Sequence, residues 1–250
     1  MKFDSLGNRM KRYEETSRFK LTRRMPVILR LDQRAGHTFT RGLVKPHDEV
    51  YMKSMQETMQ YLCKNIQGCV FGYTQSDEIT LVLVDYKELD TDAFFDYTVQ
   101  KVSSIAASMC TRVFNKRFVE NAIELYGEKE NFGTYKRKFW EAEFDCRTFN
   151  VPREEVCNCV LWRQQDAERN SIQGLAQSLF SHKELHGLSC NKLQDKMFSE
   201  KGVNWNELPA SKKRGTACLK DADGKWVIDT DMPILKGEDR QYVESLIYFE

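Results

Sequence analysis

The sequence predicts an α+β fold: an antiparallel sheet of split βαβ, or ferredoxin-like, topology packed by helices, with a helical and β-hairpin C-terminal extension. Three observations predict it. Short β-branched runs are bounded by turn residues, two longer stretches repeat apolar residues at helical spacing, and the two kinds alternate as strand, helix, two strands, helix, strand across residues 1–150. With 250 residues, 41% of them hydrophobic and 12% aromatic, the chain has enough apolar surface for a full core and lies outside the disordered class.

The first strand is Val27-Ile28-Leu29-Arg30-Leu31-Asp32, which follows Pro26 and ends on an acid close to the turn-forming Gly36. Over residues 48–67, Met52, Met55, Met59, Leu62 and Ile66 recur every 3 or 4 positions, one face of a helix. Pro46 and Asp48 stand where that helix should start and Gly68 where it should stop. Residues 69–84 form two strand-like halves broken by Gln75-Ser76-Asp77-Glu78, a hairpin with an acidic tip. A second helix is expected over 92–118, with Phe95, Val99, Val102, Ala106, Met109 and Val113 on one face. A strand near 143–149 closes the sheet. Helices near 166–180 and 191–200 and a hairpin over 215–229, turning at Asp221-Ala222-Asp223-Gly224, make up the extension over 151–250.

Charge is balanced in sum and uneven in place. There are 38 Lys and Arg against 37 Asp and Glu, a net of +1. Residues 1–30 carry nine basic and three acidic side chains (+6), and residues 221–250 carry three basic and eight acidic (−5). Lys136-Arg137-Lys138 and Lys212-Lys213-Arg214 are basic clusters; each is either a solvated face or a phosphate-tracking surface. The balance argues against a wholesale polyanion binder and says nothing about local patches. No run approaches the roughly 18 apolar residues of a membrane span, so no membrane partner is expected. The first fifteen residues lack a signal peptide's apolar stretch. Eight scattered cysteines, one C-x-C at Cys157 and Cys159 among them, are expected to be free thiols of a cytoplasmic protein.

Asp32 ends the first strand, and Asp77 and Glu78 sit at the hairpin tip. In a split βαβ sheet the first strand neighbours that hairpin, so the carboxylates can converge. Hard oxygens gathered at one sheet edge suit Mg2+, which keeps waters and substrate phosphates as further ligands. Two such metals polarise the attacking and leaving oxygens in phosphoryl transfer. Spacing alone equally allows Asp32 to cap a turn and Asp77-Glu78 to be a solvated tip. The layout is also that of a polymerase palm, by analogy.

The wider wording resembles the tRNA-His guanylyltransferase family and its bacterial and archaeal tRNA-repair relatives. Leu29-Arg30-Leu31-Asp32-Gln33-Arg34-Ala35-Gly36-His37-Thr38-Phe39 is similar to R-[IL]-D-G-R-x-F-H-x-F, Lys45-Pro46-His47-Asp48 to K-P-N-D, and Gly72 to Glu78 to G-x-S-Q-S-D-E. Phe144-Asp145-Cys146-Arg147 resembles F-D-[GA]-R, Trp162-Arg163-Gln164-Gln165-Asp166 resembles W-R-Q-x-D, and Lys213-Arg214-Gly215-Thr216 resembles K-R-G-T. Residues 94–108 fit the family's next helix. The motifs run in order from about residue 12 to residue 231.

The resemblance implies a polymerase-palm-like catalytic domain over 1–150, usually in a homotetramer. It implies two Mg2+ ions held by Asp32, Asp77 and the backbone carbonyl of Gln33, with Glu78 supporting the site. It implies ATP or GTP activation of a 5′-monophosphate on tRNA, then attack by the 3′-hydroxyl of an incoming nucleoside triphosphate. By position Arg34, His37, Ser76, Lys101 and Asn170 would grip phosphates, and Phe39, Lys45 and Asp48 would lie near the base. Arg147, Arg163, Lys212, Lys213 and Arg214 are candidate RNA contacts. Such chemistry is in-line phosphoryl transfer, where positioning and charge neutralisation dominate.

Two departures matter. Gln33 replaces a glycine, so the backbone there must suit an ordinary residue. Where the eukaryotic enzymes carry H-I-N-N, this chain has Glu168-Arg169-Asn170-Ser171 and keeps only the asparagine. That favours templated repair of 5′-truncated tRNA over addition of one extra G to tRNA-His. A catalytically inactive RNA-binding palm is the remaining reading, against which the joint presence of Asp32, Asp77 and Glu78 argues.

Overall fold

A computed structural model of the chain describes residues 5–249. Lys2 of the basic N-terminal segment and Glu250 of the acidic C-terminal one lie outside them. The strands are β1 (Val27–Gln33), β2 (Cys69–Gln75), β3 (Glu78–Leu83), β4 (Phe144–Asn150), β5 (Thr216–Lys220) and β6 (Trp226–Asp229). They form one antiparallel sheet in the order β4-β1-β3-β2-β5-β6. The first four strands in that order are the expected split βαβ sheet, with β1 and β2 parallel to each other on either side of β3.

The helices are α1 (Ser5–Glu15), α2 (Gly36–Phe39), α3 (Glu49–Asn65), α4 (Val99–Tyr126), α5 (Phe132–Lys136), α6 (Arg153–Leu179), α7 (His182–Leu185), α8 (Cys190–Lys201), α9 (Ala210–Arg214) and α10 (Gln241–Glu244). β1 alternates as a two-faced strand must. Val27, Leu29 and Leu31 pack with Met55, Met59 and Leu62 of α3 and Val102, Ala106 and Phe114 of α4. Ile28 faces the other way, into a core with Phe71, Tyr73, Val82 and the α6 residues Val156, Cys157 and Val160. The C-terminal half of α6 packs on α8 through Ile172, Leu175, Leu193 and Met197.

The sheet has six strands because the C-terminal hairpin joins it at the β2 edge, pairing Gly72 with Cys218 and Thr74 with Thr216. Gly215 permits the join. Its φ is +88°, and a Cβ there would lie 2.6 Å from the Tyr73 hydroxyl and 2.7 Å from the Thr74 carbonyl. The Tyr73 hydroxyl donates to the Arg214 carbonyl at 2.7 Å, locking strand to hairpin.

α3 starts where expected, since the Asp48 side chain accepts from the Tyr51 amide at 2.9 Å as an N-cap. α4 starts later than the apolar spacing indicates. Phe95, Asp96 and Tyr97 all have φ near +50°, which no helix accommodates, so the helix begins only at Val99. α6 is longer than expected and starts directly after Pro152. The amphipathic helix α1 lies outside the sequence expectation altogether. No helix among the described residues is long and apolar enough to cross a membrane. All eight cysteines are free.

Candidate active site

The split βαβ topology brings the acids together. Asp32 stands directly opposite Glu78 of β3 on one side and Asp145 of β4 on the other. Opposed residues of an antiparallel pair share a face, so Asp32 and Glu78 project toward α6. Asp77, in the β2–β3 turn, is drawn to β1 by its carbonyl, which accepts from the Gln33 amide at 3.0 Å. Ser76 holds φ of +50°, which carries the chain through this tight turn. Gly36 makes the approach possible: a Cβ there would fall 2.0 Å from the Asp77 carboxylate.

Burial raises Asp32 above the ordinary aspartate range, and the carboxylates of Asp77 and Asp145 raise it further, against the pull of Arg147 and Arg30. Glu78 is more deeply buried. Its carboxylate accepts from Arg163 Nε at 2.7 Å, with Arg30 Nε at 3.8 Å. Burial raises Glu78 and Arg163 draws it back. Arg163 in turn bonds Asp166 at 2.9 Å and is itself only 8% exposed. Among the described residues no three His, Cys, Asp or Glu side chains gather around one point. A metal here would draw on the Asp32 and Asp77 carboxylates, the Gln33 carbonyl, waters and substrate phosphates, the ligation habit of Mg2+. The hard-oxygen donors and the accumulated negative charge fit that ion.

Gln33 is 3% exposed and does not adopt a left-handed conformation, so an ordinary residue fits where the family pattern has glycine. The Tyr51 hydroxyl donates to its side-chain oxygen, and its side-chain nitrogen has no partner.

Beside the acids lies a cavity of about 230 Å³ lined by Lys45, His47, Asp48, Ser76, Asn170, Lys212 and Lys213, among others. Four expected nucleotide residues thus meet in one cleft with two of the expected RNA contacts. Ser76, next to Asp77 in the chain, joins cleft to acids. Burial, assisted by Lys212, pushes the His47 imidazole down to about 4, so it is neutral at pH 7. Its Nε2 is buried without a partner. His47 was not singled out in the sequence; it stands where the family motif has Asn, and that substitution is the signal that marks it.

Other expected residues are placed differently. Phe39 is partly buried against the core, edge-on to Phe114 and Phe118 at centroid distances of 5.9 and 5.2 Å. The Asp48 carboxylate lines the cleft but is already committed, accepting from the Tyr51 and Val44 amides and from the Tyr135 hydroxyl at 2.6 Å. Arg163 is a buried partner of Glu78 and not a surface for RNA. Arg214 donates to the Met232 carbonyl at 2.8 Å, which ties the hairpin to the C-terminal segment. Lys213 donates to the Asn206 carbonyl at 2.6 Å. Lys101 sits near the opposite end of the sheet. Ser103 bonds Thr148, which pairs with Leu29, whereas α4 reaches the Asp32 end only around Thr111, bonded to the Phe144 amide. Arg34, His37 and Arg147 are exposed at the acid site, where Arg34 pairs with Glu143 at 2.6 Å.

Comparison with known proteins agrees with this geometry. The tRNA-His guanylyltransferase family profile matches residues 7–152. A bacterial tRNA-His guanylyltransferase-like protein solved in complex with ATP superposes with a TM-score of 0.86 and 42% identity, covering 98% of this chain and 100% of that one. A second such structure, in complex with GTP, gives 0.81 and 38% over 98% and 100%. A probable tRNA-His guanylyltransferase of Dictyostelium discoideum is 26% identical over 78% of this chain and 75% of its own length.

Proposed function

The chain belongs to the tRNA-His guanylyltransferase family, and from that premise we propose that it is a cytoplasmic, Mg2+-dependent nucleotidyltransferase that repairs 5′-truncated tRNA by templated 3′-to-5′ addition. The observation that carries the reading is the junction of the Asp32–Asp77 acid pair with the cleft holding Lys45, Ser76 and Asn170. Loss of the H-I-N-N wording around Asn170 supports repair over a dedicated addition of G.

In the first step an oxygen of the RNA 5′-monophosphate attacks the α-phosphorus of ATP and pyrophosphate leaves. In the second the 3′-hydroxyl of the incoming nucleoside triphosphate attacks the activated 5′-phosphorus and AMP leaves. Asp32, Asp77 and the Gln33 carbonyl would hold Mg2+, which would supply charge neutralisation at the phosphates and a lowered pKa at the attacking hydroxyl. Glu78, clamped by Arg163, stiffens the strand pair that carries both acids. Arg34, just after β1, and His37, on α2, would meet phosphate, and Lys45, Lys212 and Lys213 supply counter-charge in the cleft. The family's tetramer would let Lys101 of one copy serve a site on another.

The test is a tRNA lacking its first nucleotide, with a 5′-monophosphate, given ATP, Mg2+ and each nucleoside triphosphate separately. Extension only by the nucleotide complementary to the opposing base supports repair. Addition of G whatever the opposing base would instead make the protein a guanylyltransferase proper, and no product would leave the inactive RNA-binding reading.

A further inference from the structure

The basic cluster over residues 136–138 is not used by the chemistry above, yet it borders the acid site. Arg34, at the end of β1, bonds the Glu143 carbonyl through its amide at 2.8 Å and the Glu143 carboxylate through its side chain at 2.6 Å. Trp140 is three residues before Glu143, within about 11 Å of chain. Lys136, Arg137 and Lys138 precede it, and Arg41, from the loop after α2, comes in beside them. A Cβ on Gly42, next to Arg41, would lie 3.4 Å from the Thr134 side chain that Arg137 bonds, which sets Arg41 beside the cluster, and burial with the charges of Arg137 and Arg41 lowers Lys138. None of these four cations has a carboxylate partner among the described residues. The Arg137 guanidinium donates to the Thr134 hydroxyl at 3.2 Å, and the Lys138 ammonium rests 5.4 Å from the Phe39 ring centre.

Trp140 is the second observation. It is 64% exposed with φ of +69°, a conformation a bulky residue adopts only at a cost of order 1–3 kcal/mol. The fold thus holds a large indole in solvent at the edge of unneutralised positive charge. Basic side chains beside an exposed aromatic face are the physical recipe for single-stranded nucleic acid: cations track phosphates while the ring stacks an unpaired base. A second copy of the chain is the poorer occupant, because a twofold contact would set these cations against their own images.

We propose that Arg41, Lys136, Arg137, Lys138 and Trp140 form a docking surface for a single-stranded RNA segment next to the 5′ end being extended, with Trp140 stacking on an unpaired base. The proposal rests on the RNA-end reading above.

The experiment measures binding of the full-length protein, without Mg2+ or nucleotide, to a fluorescent RNA hairpin with a four-nucleotide 3′ overhang and to its blunt counterpart. W140A and R137Q are compared with wild type, with melting temperature and sedimentation recorded for each. Expected are a loss of roughly fivefold or more for the overhang RNA in W140A, from the ~1–3 kcal/mol of one stacked base, with little change for blunt RNA. R137Q should reduce the slope of log K against log salt by about 0.7. A fold-intact W140A that binds both RNAs as wild type does would overturn the proposal. So would a change of oligomeric state that accounts for the lost affinity, since the face would then be an interface between copies. Addition activity assayed in parallel separates the two ideas. Activity without dependence on this surface sinks only the surface, and surface-dependent binding without activity sinks only the enzyme.

Discussion

Gly36 is set so close to Asp77 that its missing side chain is part of the acid site: a Cβ at position 36 would lie 2.0 Å from the Asp77 carboxylate oxygen and 2.8 Å from its Cβ. A rotamer change can move the Asp77 carboxylate but not its Cβ, so a side chain at position 36 forces the β2–β3 turn itself to shift and carries the carboxylate with it. Gly36→Ala is expected to lower the melting temperature, because a buried overlap forces the backbone to move, and to lower nucleotide addition on the order of a hundredfold, the usual result of an ångström-scale misplacement. Thermal melting and the 5′-addition assay, run side by side, check this. A variant that is active and folded would separate Asp77 from the chemistry.

Asp32 yields a prediction with a definite sign. Its folded pKa lies above the ordinary 3.8, so the metal-free folded protein holds the proton more tightly than the unfolded chain does. Asp32 therefore contributes stability at low pH that is lost as pH rises through its folded pKa, and at pH 7 the ionised cluster is a liability. In EDTA at pH 7, Asp32→Asn should melt higher than wild type. Adding Mg2+ should reverse the order, because binding to the folded state alone stabilises wild type by about 2.7 kcal/mol at a hundredfold excess over Kd. That corresponds to roughly 5–11 °C for a chain of this size. Scanning calorimetry with and without the ion decides it, and equal Mg2+ shifts in both proteins would remove Asp32 from the ligand set.

Glu78 depends on Arg163. Replacing Arg163 with Met leaves a buried carboxylate with the more distant Arg30 as its remaining cation and the Thr80 hydroxyl at 3.3 Å, and breaking a buried pair from one side costs about 3–5 kcal/mol. Without Arg163 the folded pKa of Glu78 climbs further. The loss should therefore grow as pH rises from 5 to 8, since the ionised form is the one stranded. Glu78→Gln added to Arg163→Met should recover much of the stability, a coupling that a double-mutant cycle measures. Flat pH dependence and additive effects would show that the pair does not bear on folding.

The sheet and the acid pair were legible in the sequence because both rest on local signals. Short β-branched runs bounded by turn residues and apolar spacing of 3 and 4 marked the strands and long helices of the first 150 residues, with the hairpin and two helices of the extension, and adjacency of β1 to the β2–β3 hairpin follows from split βαβ topology. Side-chain direction was not legible. Phe39 reads as a motif aromatic, but the turn at Ala35, with φ of +53°, points it into the α3–α4 core. Arg163 reads as a surface cation, but α6 lies over the Glu78 face and buries it. Lys101 reads as part of the site until the register of α4 against β4 places it at the far end. The consecutive left-handed residues Phe95 to Tyr97 delay α4, and no apolar spacing announces them. Arg30 was within reach: two residues before Asp32 on a strand, it had to share that face.

The same reasoning separates main chain from side chain at position 33. The Gln33 side chain has one partner, the Tyr51 hydroxyl on its oxygen, and its nitrogen has none. Tyr51→Phe would leave a buried amide wholly unsatisfied at a cost of about 1–3 kcal/mol. Gln33→Met removes that amide but strands the Tyr51 hydroxyl, so it too should destabilise. The double variant, which replaces both partners with apolar groups of similar shape, should be close to wild type in stability. Nucleotide addition should survive in Gln33→Met, because the oxygen assigned to the metal there is the backbone carbonyl, which the substitution leaves in place. Urea melts together with the addition assay read both halves. Activity lost in Gln33→Met at unchanged stability would assign the side chain, not the carbonyl, to the site.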